Sequence, residues 1–224
     1  MKLIGELDSL NFASKHLENL FIDEENYIIE TIKGVGVFNP SYWLETFKSK
    51  LTRNIIEAKI LYTSKGLEFH IKRFSVSQDR QTLEIAGITS YTNKDKDKSE
   101  FISEVIELAQ DEVITRLDIA IDFKDKIPTR VIRNLKKNRK SFNWINSTYL
   151  KTKGEKKSNS HINIIIYPKH IKENLNDEIY RLEFSFRNSY FKKEFKIKDL
   201  KKAYEKMEKT ITKFSGLKVA IKSV

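Results

Sequence analysis

The stretch Val113-Ile114-Thr115-Arg116-Leu117-Asp118-Ile119-Ala120-Ile121-Asp122-Phe123 decides the fold class of this chain. Its residues alternate with a period of two, which predicts a β-strand with two different faces. Arg116, Asp118 and Asp122 share one face, and the other face is apolar. A face with three charges either lies in water with Arg–Asp pairing or builds a site. Carboxylates on a rigid strand suit Mg²⁺ or Mn²⁺.

A second alternating run lies at Glu178–Arg187. One face is aromatic and aliphatic, with Tyr180, Leu182, Phe184 and Phe186, and the other carries Arg181, Glu183, Ser185 and Arg187. An acid between two arginines is held ionised by its neighbours, so Glu183 suits a metal ligand. The arginines suit bidentate contacts with phosphate. A ladder of cross-strand salt bridges is the alternative interpretation.

The rest of the chain predicts an α+β fold, a mostly antiparallel β-sheet with helices packed on one face. The segment up to Glu25 is expected to be irregular or helical. We expect a turn at Gln78–Arg80, a loop at Tyr91–Glu100 and one domain over residues 1–224. The further predicted strands are Tyr27–Phe38, Ile55–Thr63, Leu67–Phe74, Thr82–Ile88, Phe142–Leu150 and Ile162–Tyr167. The predicted helices are one that opens at Asn39-Pro40-Ser41 and those at Phe101–Gln110, Pro128–Lys137 and Lys198–Phe214.

Composition limits the classes of function. The chain has 224 residues, 39% of them hydrophobic, which is enough for a folded core. It has no apolar run long enough for a membrane span and no signal-peptide pattern. There is no cysteine, which excludes thiolate chemistry and disulfides and favours a cytoplasmic location. Neither a Gly-x-Ser-x-Gly motif nor a glycine-rich phosphate loop is present.

Charge is distributed unevenly along the chain. The net charge is +11, yet Lys124–Val224 holds 27 basic and 10 acidic residues, whereas the preceding part holds 15 basic and 21 acidic residues. A chain enriched in lysine only for solubility would be basic throughout. The asymmetry therefore points to a polyanion-binding surface in the second half.

The order of three short motifs resembles a known family. Arg-Leu-Asp-Ile-Ala-Ile-Asp at 116–122 is followed by Ile-Tyr-x-Lys at 166–169 and by Tyr-Arg-Leu-Glu-Phe at 180–184. In this order they look like the trans-acting, Rep_trans-type initiators of rolling-circle plasmids and the related relaxases of conjugative elements. A strand followed by glycine at Thr82–Gly87 is similar to a feature that precedes these motifs. The resemblance covers about residues 82–187.

The resemblance implies a DNA nuclease that uses a tyrosine and a divalent ion, Mg²⁺ or Mn²⁺. In such enzymes the tyrosine attacks a phosphodiester and keeps the 5′ phosphate, and the free 3′ hydroxyl primes synthesis. Asp118 and Glu183 would be metal ligands, with Asp122 as a helper and Arg181 beside them in the catalytic motif. The ion would polarise the phosphate.

Three tyrosines are candidates for the nucleophile. The family carries a Thr-x-Tyr-like strand before the Ile-Tyr-x-Lys strand, and Ser147-Thr148-Tyr149 fits that place. Tyr149 is therefore the first candidate. Tyr180 and Tyr190 are the alternatives, because both lie near the glutamate strand. Each could equally be a buried structural tyrosine.

One position departs from the family pattern. The third place of Ile-Tyr-x-Lys usually holds an acid, and here it holds Pro168. His161 and Asn163 lie on one face of the same strand and could supply a ligand instead. A protein that has lost catalysis and only binds DNA is the alternative.

Basic residues near these motifs are expected to contact the phosphate backbone. One group forms the loop after Tyr149, another forms a run that ends close to two aromatic residues, and the rest flank the motifs. Aromatic side chains beside cations can stack on bases, although Trp144 could also pack within its strand. The expected DNA-contacting residues are Lys151, Lys153, Lys156, Lys157, Arg133, Lys137, Trp144, Arg116, Lys169 and Arg187.

The partners implied are a single-stranded or hairpin DNA origin and, beyond it, a host helicase, with no membrane. Inverted-repeat origins would suit a homodimer. Two other classes stay open: a non-catalytic protein that binds DNA, and a protein that processes or binds RNA.

Overall fold

The computed structural model describes residues 3–15, 27–33, 55–63, 68–74, 77–88, 96–137, 139–152, 161–191 and 195–222. The chain divides into two compact units, one made of Met1–Ser9 and Arg116–Val224 and the other of Leu10–Thr115. The expectation of a single domain over the whole chain stays a prediction. Within the described ranges, no helix has both the length and the apolar composition needed to cross a bilayer.

The unit of Leu10–Thr115 contains an antiparallel meander. Its four strands pair in chain order, with Leu61 opposite Phe69 and Ile71 opposite Leu83. A helix follows the meander; Ile102 and Val105 on that helix are buried, as is Ala109 directly after it. The elements are β2 Tyr27–Lys33, β3 Ile55–Thr63, β4 Glu68–Phe74, β5 Ser77–Ala86 and α1 Lys96–Leu108.

The unit of Met1–Ser9 and Arg116–Val224 is built on a sheet in which strands distant in sequence are neighbours. Its strands follow the order β1-β6-β10-β9-β8-β7, and β11 pairs with β1 in parallel. The pairs from β6 to β7 in this order are antiparallel. The strands are β1 Leu3–Ser14, β6 Val113–Lys124, β7 Arg139–Trp144, β8 Ser147–Thr152, β9 Ile162–Pro168, β10 Ile179–Arg187 and β11 Val219–Lys222, of which β1 and β6 run on into the other unit.

Helices cover the apolar face of this sheet. Phe184 and Phe186 on β10 are fully buried, and Phe186 packs on Tyr190, whose hydroxyl donates to the carbonyl of Lys206. This chain of contacts leads from β10 to the C-terminal helix. The helices are α2 Thr129–Lys136, α3 Lys169–Glu173, α4 Asn188–Phe191 and α5 Leu200–Ser215, with a 3-10 turn at Ile197–Asp199.

The α+β fold class and its antiparallel sheet are confirmed, and one helix departs from the expected layer. Lys169 and Lys172 of α3 contact side chains on the opposite face of the sheet. His170 of the same short helix contacts Tyr180, which points to the other face, so α3 lies at the end of β9 and β10 rather than in the helical layer, whereas the longer helix α5 packs through buried apolar residues.

Four predictions about local structure are wrong. The N-terminal segment is a strand, β1, rather than irregular or helical. Gln78–Arg80 lies inside β5, and Lys96–Glu100 begins α1 rather than a loop. Phe142–Leu150 is not one strand but part of a hairpin of two strands joined at Ile145-Asn146. The prediction missed the turn because it contains no glycine or proline. The strand predicted to continue to Phe38 lies partly outside the described residues, and the helix predicted to open at Asn39-Pro40-Ser41 lies wholly outside them.

The apolar face predicts a large effect of core truncation. Phe184→Ala should lower the free energy of unfolding by about 3–5 kcal/mol, because it removes a fully buried ring and leaves a cavity. Ile171→Ala is the control, since this side chain is 57% exposed and should change stability by less than about 0.5 kcal/mol. Urea denaturation of both variants measures the difference. Equal losses would contradict the assigned core.

Candidate active site on the polar sheet face

The two charged runs of the sequence lie on neighbouring strands and face the same side. Asp122 is opposite Arg181, Asp118 is opposite Ser185, and Arg116 is opposite Arg187 across the β6–β10 pair. The register continues through β9 and β8, so one side of the sheet collects most polar residues of the motifs. We call this side the polar face; its members are Asp8, Arg116, Asp118, Asp122, Tyr149, Asn163, Tyr167, Arg181, Glu183, Ser185 and Arg187.

Arg181 is the buried centre of the polar face, with only 3% of its side chain exposed. Its Nε and Nη2 donate to the two carboxylate oxygens of Asp122 at 2.7 and 2.9 Å, and its Nη1 donates to Asp8 at 2.9 Å. Lys169 Nζ adds a third cationic contact to Asp122 at 2.8 Å. Burial raises the pKa of Asp122, but hydrogen bonds from Arg181 and Lys169 outweigh it and lower that pKa below its ordinary value.

Asp118 is held by one arginine and is almost completely buried. Arg116 donates from Nε and Nη2 to its two oxygens, and Nε also contacts Ser185 Oγ at 3.1 Å. Burial still raises the pKa of Asp118 above its ordinary value, although the charge and hydrogen bonds of Arg116 lower it. The positive charge of Arg116 therefore does not fully offset the cost of burying the ionised carboxylate.

Glu183 is a second buried acid on the polar face whose pKa is raised. The hydroxyl of Tyr167 donates to Glu183 Oε2 at 3.3 Å. Burial first, and then the negative charges of Asp118 and Asp8, raise the pKa of Glu183 to about 7. Additional positive charge beside Glu183 would therefore stabilise its ionised form.

Tyr149 lies in the same cross-strand row as Glu183. The row runs from Phe142 through Tyr149 and Ile165 to Glu183. Burial raises the pKa of Tyr149, an interaction with Ser147 lowers it, and the charge of Glu183 raises it again. The phenol is consequently protonated at rest and partly accessible.

The other two candidate tyrosines do not share this face. Tyr180 alternates with Arg181 along β10, donates from its hydroxyl to Glu178 at 2.9 Å, and meets His170 edge to face. Tyr190 lies on α4 and is hydrogen-bonded to α5 through Lys206 and Thr210. Of the three tyrosines, Tyr149 alone shares the polar face with the buried acids.

The donor atoms of the polar face fit a hard divalent cation. The negative charge of Asp118 raises the pKa of Glu183, and Asn163 Oδ1 is buried with no hydrogen-bond partner among the described residues. Asn163 is opposite Ser185, which is opposite Asp118. No three His, Asp or Glu side chains of the described ranges form a complete metal site. Mg²⁺ commonly takes one or two carboxylates and completes its shell with water and substrate phosphate.

Two guanidinium groups meet at one end of the polar face. Arg187 is directly opposite Arg116. Burial lowers the pKa of Arg187, and the like charge of Arg116 lowers it further. Like charges at opposite positions of a sheet repel. An anion placed between them would relieve that repulsion.

Other residues predicted to contact DNA are spread over the unit. Trp144 is 56% exposed on β7, and Lys151 Nζ lies 5.1 Å from the centre of the Phe142 ring. Lys169 is engaged with Asp122, and His161 is exposed at the start of β9. Arg133 and Lys137 belong to or follow α2, which packs on α5, and Lys153, Lys156 and Lys157 lie outside the described residues.

Sequence reasoning missed two members of the polar face. Asp8 binds Arg181, but it lies in the N-terminal segment that was expected to be irregular or helical. The alternation of Glu6 and Asp8 with Gly5 and Leu7 was the available signal. Tyr167 was placed in its motif without a role, and its hydroxyl turns out to contact Glu183.

Comparisons with known proteins bear on the fold of this chain. No protein-family profile matches the chain, and no curated protein matches it. The fold is similar to a structure of a rolling circle replication initiator protein from Geobacillus stearothermophilus, with a TM-score of 0.42 and 14% identity. The match covers 83% of this chain and 74% of that chain. Similarity at this level does not establish a shared function.

The raised pKa of Glu183 predicts how stability changes with pH. Between the ordinary pKa of 4.5 and about 7, the folded state holds a proton that the unfolded state has lost. The free energy of unfolding therefore falls as the pH rises through this window. In EDTA, Glu183→Gln should be more stable than the parent by about 1–3 kcal/mol near pH 8, and this gain should vanish near pH 4.

Urea denaturation at several pH values measures this effect. Glu205→Gln, at an exposed carboxylate of α5, is the matched control and should give no pH-dependent gain. A Glu183→Gln gain that is constant with pH, or a loss near pH 8, would contradict the assignment of Glu183 as an under-compensated buried acid.

Proposed function

We propose that this chain nicks and rejoins single-stranded or hairpin DNA, with Tyr149 as the nucleophile, and acts as a rolling-circle replication initiator. The observation that carries the proposal is the shared row of Tyr149 and Glu183, next to Asp118, on one face of the sheet. These are the residues that the sequence motifs nominate for nucleophile and metal ligands. Two sets of residues far apart in the chain thus share one face of the sheet, which supports the proposal.

The reaction is a transesterification. Oη of Tyr149 forms a bond to phosphorus, and the bond from phosphorus to the 3′ oxygen breaks. The phenol loses its proton and the departing 3′ oxygen gains one, so no further reactant is consumed. The phosphate stays on Tyr149 through the 5′ side, and attack by a 3′ hydroxyl in the reverse direction rejoins a strand.

Because the pKa of Tyr149 is raised, the site must stabilise the phenolate for Tyr149 to act as a nucleophile. A protonated phenol is a poor nucleophile, so positive charge has to stabilise the phenolate as it forms. Arg116 and Arg187 provide fixed positive charge at one end of the polar face. Arg187 can donate paired hydrogen bonds to a phosphodiester, whereas Arg116 is already paired with Asp118.

Asp118 and Glu183 are the residues proposed to hold a divalent cation, Mg²⁺ or Mn²⁺, with Asn163 Oδ1 as a neutral donor in the same region. Asp122 is less suited, because Arg181 and Lys169 occupy both of its oxygens. When bound, the cation would polarise the scissile phosphate and offset its developing charge. His161 and the helicase and homodimer partners remain predictions.

A non-catalytic DNA-binding protein is the second candidate function. The observation in its favour is that Arg116 occupies both oxygens of Asp118, so a cation would have to displace it. Pro168 also stands where the family usually has an acid. Such a protein would keep the basic surface and lose the reaction.

The adduct assay separates these functions. Purified protein is mixed with labelled stem-loop DNA from its own genetic element, with Mn²⁺ or EDTA, and resolved on a denaturing gel. We expect an adduct that requires Mn²⁺ and falls by at least about 100-fold in Tyr149→Phe and Asp118→Asn, because each loses a group that acts in the transition state. Tyr180→Phe and Tyr190→Phe are the matched controls and should keep the adduct.

Each other outcome has a definite meaning. An adduct that survives Tyr149→Phe and disappears in Tyr180→Phe or Tyr190→Phe would transfer the nucleophile. No adduct together with salt-sensitive DNA binding would establish the binding protein. Preference for an RNA of the same sequence would reject the initiator.

The paired arginines predict a change in salt dependence. Arg187→Ala should make the slope of log affinity against log salt concentration less steep by about one unit, because one phosphate contact is lost. Lys209→Ala, an exposed cation on α5, should leave the slope unchanged. Fluorescence anisotropy with a labelled single strand at several salt concentrations measures both. Equal slopes for Arg187→Ala and the parent would remove Arg187 from the phosphate contacts.

A further inference from the structure

The tip of the β7–β8 hairpin is strained and apolar. Ile145 joins the strands with a φ of 50°, and 81% of its side chain is exposed. A β-branched side chain is disfavoured in this left-handed region, which tight hairpins usually fill with glycine or asparagine. Because the side chain is exposed to water, no packing energy offsets the cost of that backbone conformation. Strain at an exposed apolar residue therefore indicates a functional role for this side chain.

Flat aromatic rings continue from this tip toward Tyr149. Phe142 stacks on Tyr149 with ring centres 4.9 Å apart and planes 10° apart, and Trp144 lies 6.5 Å from the same ring. Phe142 and Trp144 are 41% and 56% exposed. Nucleic-acid bases stack on such surfaces with little regard to sequence.

Positive charge borders these aromatic rings. Lys151 Nζ lies 5.1 Å from the centre of the Phe142 ring, and exposed Lys140 is opposite Lys151 in the hairpin. Cations next to a stacking surface match a polyanion whose bases are unpaired. A protein partner bound through apolar contacts alone would not need them.

We propose that Ile145 is a wedge that separates the base pair closing a DNA stem, so that the freed base stacks on Trp144 and Phe142. Apolar side chains inserted between base steps unstack them in other DNA-binding proteins. The same hairpin carries Tyr149, so the strand that is opened lies next to the nucleophile. This inference rests on the proposed function and adds to it how paired DNA becomes accessible.

The test uses a DNA stem-loop with 2-aminopurine in the base pair that closes the loop. The full chain carries Tyr149→Phe and the buffer contains EDTA, so that binding is observed without nicking. Binding should increase 2-aminopurine fluorescence, because the base leaves the stack. Ile145→Asn should abolish the increase, while binding of a single strand that cannot form a stem is retained.

Folding is controlled within the same experiment. Asparagine adopts the left-handed region more readily than isoleucine, so Ile145→Asn should unfold at the same or a higher temperature than its parent. Ile171→Asn replaces an exposed isoleucine of α3 and should retain the fluorescence increase.

The possible results distinguish the wedge from the proposed function. Stem-loop binding with no fluorescence increase, or an increase that Ile145→Asn keeps, would reject the wedge and leave the nicking proposal standing. No binding to either DNA would reject both. An increase lost equally in Ile171→Asn, or stronger opening of the equivalent RNA stem-loop, would also overturn the assignment.

Discussion

The ion-pair arrangement around Arg181 is the interaction on which the polar face depends. Its guanidinium is buried and joins Asp122 of β6 to Asp8 of β1 from its position on β10. A buried charge without partners costs several kcal/mol, so the three strands are constrained to bring these groups together. A slip of one residue between β6 and β10 would move Asp122 to the apolar face. The ion pairs therefore define the register of the strands that carry the site.

The same interactions leave the neighbouring acids under-compensated. Arg181 and Lys169 balance Asp122, and Arg116 balances Asp118 only in part. For Glu183, burial together with the charges of Asp118 and Asp8 raises the pKa to about 7. A folded protein gains no stability from such a group, and perturbed acids of this kind concentrate at functional sites. In the proposed function, a divalent cation would supply the positive charge that these acids lack.

The sequence predicted the strands that carry the chemistry but not their surroundings. The period-two alternation of β6 and β10 gave both strands to within about a residue and identified the charged faces. It could not show that Asp122 pairs with Arg181, because pairing depends on tertiary register. Asp8 escaped notice because a single acid in an N-terminal segment carries no motif.

The β7–β8 hairpin shows the opposite difficulty. The left-handed position of its turn is occupied by Ile145, where glycine or asparagine would have marked a turn. Phe142–Leu150 therefore resembled one continuous strand. The residue that concealed the turn is the one with the strained backbone. A residue whose local preference disagrees with the structure is often a functional residue.

The most direct test of the active site is to map the covalent adduct on the unaltered protein. After reaction with stem-loop DNA and Mn²⁺, nuclease trimming and trypsin digestion would leave a nucleotide on one peptide, which mass spectrometry identifies. The polar face predicts the nucleotide on Tyr149, in the peptide that begins at Ser141 and ends at Lys151. A nucleotide on the peptide that ends at Arg181, which contains Tyr180, or on no tyrosine at all would contradict this assignment.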